Sequence, residues 1–67
     1  MQTGTVKRFN RIKGYGFIRP DQGEEEVFVH FSVIDVAGYK ELKEGQRLCY
    51  TLAVGDKGYY AMNVTII

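Results

Sequence analysis

At 67 residues, 45% hydrophobic and 25% charged, the chain has the make-up of one small globular domain, residues 1–67. A domain this small buries only about 60% of its unfolded surface, so its core is marginal. It has no apolar run near the roughly 18 residues of a membrane span, and MQTGTVKRFN lacks a signal peptide's apolar core, so a cytoplasmic protein without membrane contact is expected. The net charge of +1 nominates no partner, and the single cysteine, Cys49, excludes an internal disulfide.

Short strand signals follow one another along the chain. A first strand is expected over Thr3 to Asn10, then a polar turn through Gly14. KGYGFIRP supplies a second, over Tyr15 to Pro20, closed by the turn residues Asp21, Gln22 and Gly23. A third is expected over Glu26 to Phe31. Residues 32–45 form a long connection, in which Ser32 can cap a turn or so of helix before Val33, Ile34 and Val36. A fourth strand over Gln46 to Val54 and a fifth over Tyr59 to Ile66 flank the turn Gly55 to Gly58. Five short strands with one long connection predict a small closed β-barrel, in which closure removes exposed edges.

Alternation assigns the faces. Ile18, Val27, Val29, Leu48, Tyr50, Leu52, Met62, Val64 and Ile66 form a consistent core. Tyr15, Phe17, Phe28 and His30 then lie outside, and Gly14 and Gly16 face inward, where a tightly curved barrel has little room. In the first strand, strict alternation pairs Val6 with Arg8. A bulge near Lys7 would bury Val6 and let Arg8 and Phe9 both reach the ring face.

Charge is distributed unevenly. Residues 1–20 carry Lys7, Arg8, Arg11, Lys13 and Arg19 and no acid, whereas Asp21, Glu24, Glu25 and Glu26 follow at once. Rings exposed among cations suit single-stranded nucleic acid, whose bases stack on rings and whose phosphates pair with cations. Stacking accepts any base, so low sequence specificity is expected.

The chain resembles the bacterial cold-shock proteins over its whole length. Lys13-Gly14-Tyr15-Gly16-Phe17-Ile18 matches that family's first RNA-binding motif and Val27-Phe28-Val29-His30-Phe31 its second. Lys7-Arg8-Phe9-Asn10 stands at the place of the family's Lys-Trp-Phe-Asn. The resemblance implies an all-β, five-stranded antiparallel OB-type barrel with a long loop between strands 3 and 4. It implies binding of single-stranded RNA and DNA by the sheet of the first three strands, and a role as an RNA chaperone in the cold. The residues it marks are Lys7, Arg8, Phe9, Lys13, Tyr15, Phe17, Phe28, His30 and Phe31, with Tyr39 and Lys40 in the loop. Tyr59 and Tyr60, beside Lys57, either extend the platform or cover hydrophobic surface at a turn.

The chain departs from the family at Arg8, where a tryptophan is usual, and at Tyr59, where proline is usual. A guanidinium still stacks on a base and adds charge. Enzyme chemistry is not expected: His30 and Cys49 are the lone histidine and cysteine, they lie on different strands, and together they make neither a triad nor a zinc site. Gly14-Tyr15-Gly16 opens a dinucleotide-like pattern that fails at Arg19. No cofactor or metal is implied. A monomer is expected, with a strand-swapped dimer as its variant, and the rival reading is a protein-interaction or self-associating barrel.

Overall fold

The computed structural model describes residues 1–34 and 42–67. Its strands are β1 (Gln2–Asn10), β2 (Tyr15–Pro20), β3 (Val27–His30), β4 (Arg47–Gly55) and β5 (Gly58–Ile66). They close into a barrel in the order β1-β2-β3-β5-β4. Every seam is antiparallel except β3 against β5, which is parallel and joins Phe28 to Tyr60. The expected five-stranded OB-type barrel is thus present with one parallel seam, and the reason for that seam is parity. Directions cannot alternate all the way round a ring with an odd number of strands.

β1 carries the expected bulge. Its register against β2 shifts between Val6, which pairs with Ile18, and Arg8, which pairs with Phe17. Cross-strand partners share a face, so Val6 goes to the core and Arg8 to the ring face. Phe9 then pairs with Gly16 on the inner face, half-buried and packed against the core. Arg8 therefore joins the ring face as expected, whereas Phe9 does not stand on it and only borders the hollow beside it from the inner side.

The core of Val6, Ile18, Val27, Val29, Ile34, Leu42, Leu48, Tyr50, Ala61 and Val64 is at most 3% exposed at each position. Leu52, Met62 and Ile66 were expected here and are instead about two-fifths exposed, at 39%, 40% and 41%. Each has its own cause. β1 pairs with β4 only as far as Gln2 with Tyr50, so Leu52 lies on the inner face of a hairpin that runs on past the barrel wall. In β5, Asn63 takes a left-handed backbone (φ 53°), and the β4–β5 register shifts between Cys49 and Thr51. Asparagine tolerates that conformation. The irregularity breaks the two-residue period, so Ala61 and Val64 point inward and Met62 does not. Ile66 pairs with Leu48 at the last residue of the barrel wall.

β3 stops at His30 rather than Phe31, and a single 3-10 turn, Phe31–Val33, follows. The cap is His30, not Ser32: the Ser32 amide donates to His30 Nδ1 at 3.2 Å. Ile34 returns to the core and bridges to Val64. The β4–β5 turn is shorter than expected, with Asp56 and Lys57 alone between Gly55 and Gly58.

Candidate nucleic-acid interface

The β1–β2 turn is built by Asn10. Its Oδ1 accepts the amides of Ile12 and Lys13 at 3.0 Å each, and its carbonyl accepts the Gly14 amide at 2.7 Å. This is an Asx-type turn, in which a short side chain replaces a strand partner. Gly14 sits at φ 79°, and its carbonyl accepts the Phe31 amide at 2.8 Å. A Cβ on Gly14 would lie 2.6 Å from the Phe31 ring. One glycine therefore ends the turn and seats a ring against it. Gly16 is tighter still, since a Cβ there would come within 2.2 Å of the Arg8 carbonyl oxygen and 2.7 Å of Phe9 Cα. Its bare backbone allows the strand just past the bulge to lie flat on β2.

Cross-strand pairing then assembles the rings. Tyr15 pairs with His30 and Phe17 with Phe28, so all four share the outer face. Phe28 is central: its ring lies 5.7 Å from Tyr15, tilted 32°, and 5.9 Å from Phe17, edge-on at 73°. These are favourable aromatic geometries. Because the rings pack on one another, Tyr15 and Phe17 are half-buried, while Phe28 is exposed. His30 and Phe31 form a second pair at 4.5 Å. His30 Nδ1 accepts from the Ser32 amide and lies 2.9 Å from Ser32 Oγ, which leaves Nε2 as the protonated nitrogen of the neutral ring. The Arg8 guanidinium lies over the Phe17 ring, 5.0 Å from its centroid.

Two hollows flank this ridge, and Phe17 lines both. One is walled by Phe17, Phe28, Lys57, Tyr59 and Tyr60, with Glu25 and Glu26 on its rim. The other runs past Arg8, Phe9, Arg11, Tyr15 and Phe17. Tyr60 pairs with Phe28 across the parallel seam and so shares the ring face. Tyr59 points to the other side and also lines a hollow at the barrel mouth with Tyr50 and Leu52. Tyr60 is therefore the more direct extension of the platform. That could be seen only once the barrel closed, because no local pattern links residue 60 to residue 28. Tyr39 and Lys40 lie outside the described residues.

The cations are not equivalent. Lys7 is paired with Glu26, and that pair holds the Glu26 carboxyl below its usual range. Asp21 is held far below the usual carboxylate range, first by Arg47, which grips both its oxygens at 2.7 and 2.6 Å, and then by the Thr3 hydroxyl at 2.6 Å. Two of the four acids that border the basic segment are thus neutralised within the protein. Arg8, Arg11 and Lys13 are exposed and have no carboxylate partner among the described residues. Among those residues there is also no cluster of side chains fit to hold a metal, and no helix is long and apolar enough to cross a membrane.

Comparison with known proteins agrees with this geometry. The 'Cold-shock' DNA-binding domain matches residues 2–67. The chain is 48% identical over 67 residues to the cold shock-like protein CspA of Bordetella pertussis, covering all of both chains. It is 52% identical over 65 residues to the major cold shock protein of Micrococcus luteus, covering 97% of each. Among solved structures, the drosophila Unr CSD456 structure superposes with a TM-score of 0.81 at 18% identity, over 98% of this chain and 26% of that one, a likeness of fold alone. The ring-bearing outer face, the motifs of β2 and β3 and the full-length match lead to one conclusion: this chain belongs to the cold-shock domain family of nucleic-acid-binding proteins.

Proposed function

We propose that the protein binds single-stranded RNA and DNA with low sequence specificity and acts as an RNA chaperone, weakening RNA secondary structure in the cold. The observation that carries this is the juxtaposition of Tyr15, Phe17, Phe28 and His30 on one outer face beside the unpaired Arg8. Bases stacked inside a duplex cannot reach such rings, whereas unpaired bases can. Each stack contributes about 1–3 kcal/mol, and cation–phosphate contacts add a salt-dependent share. In this reading Lys13 and Lys57 contact phosphate, and Lys7 exchanges Glu26 for the strand.

Chaperone action then follows from linkage. A ligand of the unpaired state alone shifts the pairing equilibrium by RT ln(1 + [L]/Kd), about 2.7 kcal/mol when the protein is at a hundred times its Kd. That is enough to open weak hairpins, and no nucleotide hydrolysis is required. Titration of labelled pyrimidine-rich and purine-rich strands, with a duplex control, at two salt concentrations tests it. Single strands should bind at least tenfold tighter than duplex, and a weak RNA hairpin should melt lower with protein present. Equal binding of duplex and single strand would refute the chaperone mechanism.

A further inference from the structure

We propose that Arg8 gives this surface a preference for guanine at one position of the bound strand, an inference that rests on the single-strand reading above. The bulge at Lys7 turns Arg8 onto the ring face opposite Phe17. Its guanidinium covers that ring at 5.0 Å. The nearby carboxylate of Glu26 is engaged by Lys7. Arg8 itself has no carboxylate partner among the described residues, so its planar donor fork is free for a ligand.

A base approaching Phe17 therefore meets a guanidinium before it meets the ring. It stacks on the guanidinium, or it displaces the guanidinium sideways to the edge of the base. Only in the second arrangement, with the base on Phe17 and the guanidinium in the plane of the base, do the fork's N–H donors meet the base edge, and that arrangement carries the preference. Guanine presents two adjacent acceptors, O6 and N7, which match a bidentate fork. Adenine offers N7 beside an amino donor, so only one of the two bonds forms. Thymine and uracil offer single carbonyls beside an N–H. Cytosine has adjacent acceptors, N3 and O2, on a smaller stacking surface. Guanine alone combines a purine's area with the paired acceptors. In a single strand these edges are open to contact, as they are not in a duplex. The rest of the platform consists of rings that accept any base, so the preference belongs to the single position above Phe17.

A good bidentate contact discriminates by about 5- to 150-fold, and at a solvent-exposed position the low end, about fivefold, applies. The test is fluorescence anisotropy with labelled heptathymidylate and with the same strand carrying one dG, dA or dC at each position in turn, for wild type, Arg8→Lys and Arg8→Trp. The readout is the ratio of affinities within each protein, whatever its absolute affinity. Arg8 is exposed, so both variants fold, which a melt confirms. Lysine keeps the charge without the fork, and tryptophan keeps stacking without either. Wild type should prefer its best dG strand about fivefold over the matched dA and thymidine strands, and both variants should lose that ratio. No guanine preference in wild type, or a preference that survives in either variant, overturns the proposal. Failure of wild type to bind heptathymidylate at all would overturn the single-strand reading instead, and is distinguished because the unsubstituted strand is then silent.

Discussion

Phe17→Ala is the sharpest probe of the platform, because Phe17 lines the hollows on both sides of the ridge. The substitution acts on stability and on binding, and the two can be separated. In the free protein it removes an edge-on contact with Phe28 at 5.9 Å, which contributes about 0.5–1.5 kcal/mol. It also removes the Arg8 contact at 5.0 Å, which at an exposed site contributes about 0.5–1 kcal/mol. Together these cost about 1–2.5 kcal/mol, or roughly 5–20 °C in Tm for a domain of this size. The core residues beneath, Ile18 and Val29, are untouched, so the fold survives. For binding, loss of one stacking platform costs about 1–3 kcal/mol. Because both hollows lose a wall, the upper half of that range is expected, a Kd about 30-fold weaker or more. Anisotropy titrations of a labelled pyrimidine strand, run well below the variant's Tm and scaled by the folded fraction from a urea melt, measure it. A variant that unfolds, with an unchanged Kd per folded molecule, would refute the assignment of this ring to the ligand face.

Lys13→Gln should weaken binding about equally for all sequences and flatten the slope of log K against log salt by roughly 0.7, the single-strand value per phosphate contact; a loss confined to one sequence with the slope intact would reject that role. Arg8→Trp should tighten binding of an all-thymidine strand at high salt, where ring area counts and the lost cation does not, and weaker binding there would show that Arg8 makes a contact no ring replaces. Asp21→Asn should lower Tm at pH 7. The folded carboxyl is depressed below its ordinary 3.8, so its stabilisation is present above about pH 4 and lost as the solution is acidified further. The Tm gap between wild type and Asp21→Asn should therefore narrow steadily as the pH falls below 4, with part of it still present at pH 2, and a constant gap would reject the Arg47 pair as its source. Tyr50→Phe should hold or raise Tm, because the Tyr50 hydroxyl is buried with no hydrogen-bond partner among the described residues, a state that costs about 1–3 kcal/mol. A fall of several degrees would mean that the hydroxyl is satisfied in solution.

What the sequence made legible was what neighbouring residues decide. Tyr15, Phe17, Phe28 and His30 were assigned to one face from the period of two, and glycines at 14 and 16 from the need for bare backbone beside them. The structure places them so. The bulge at Lys7 was readable because Val6 and Arg8 could not share a face. The misassigned positions depend on distant strands or on the shape of the whole ring. Leu52 carries a core residue's pattern, but β1 ends before it. Met62 was displaced by the left-handed Asn63, which in a strand reads as an ordinary polar alternate. Tyr60 joins Phe28 only through the parallel seam, and Lys7 meets Glu26 only because β1 and β2–β3 fold together.

The alternation that sorts core from ligand face also separates two kinds of evolutionary change. Positions 8, 17, 28 and 60 project outward, while 6, 18, 27 and 29 lie beneath them in the wall. Side chains on the outer set can be exchanged for others of different shape or charge without repacking the inner set. Gly16 is the exception that joins the two sets. Any side chain there would strike the backbone at Arg8 and Phe9, so a change at this inward position would move the outer rings without altering any of them. A library that varies the outer positions and holds Gly16 fixed would therefore sample new ligand preferences on an unchanged barrel.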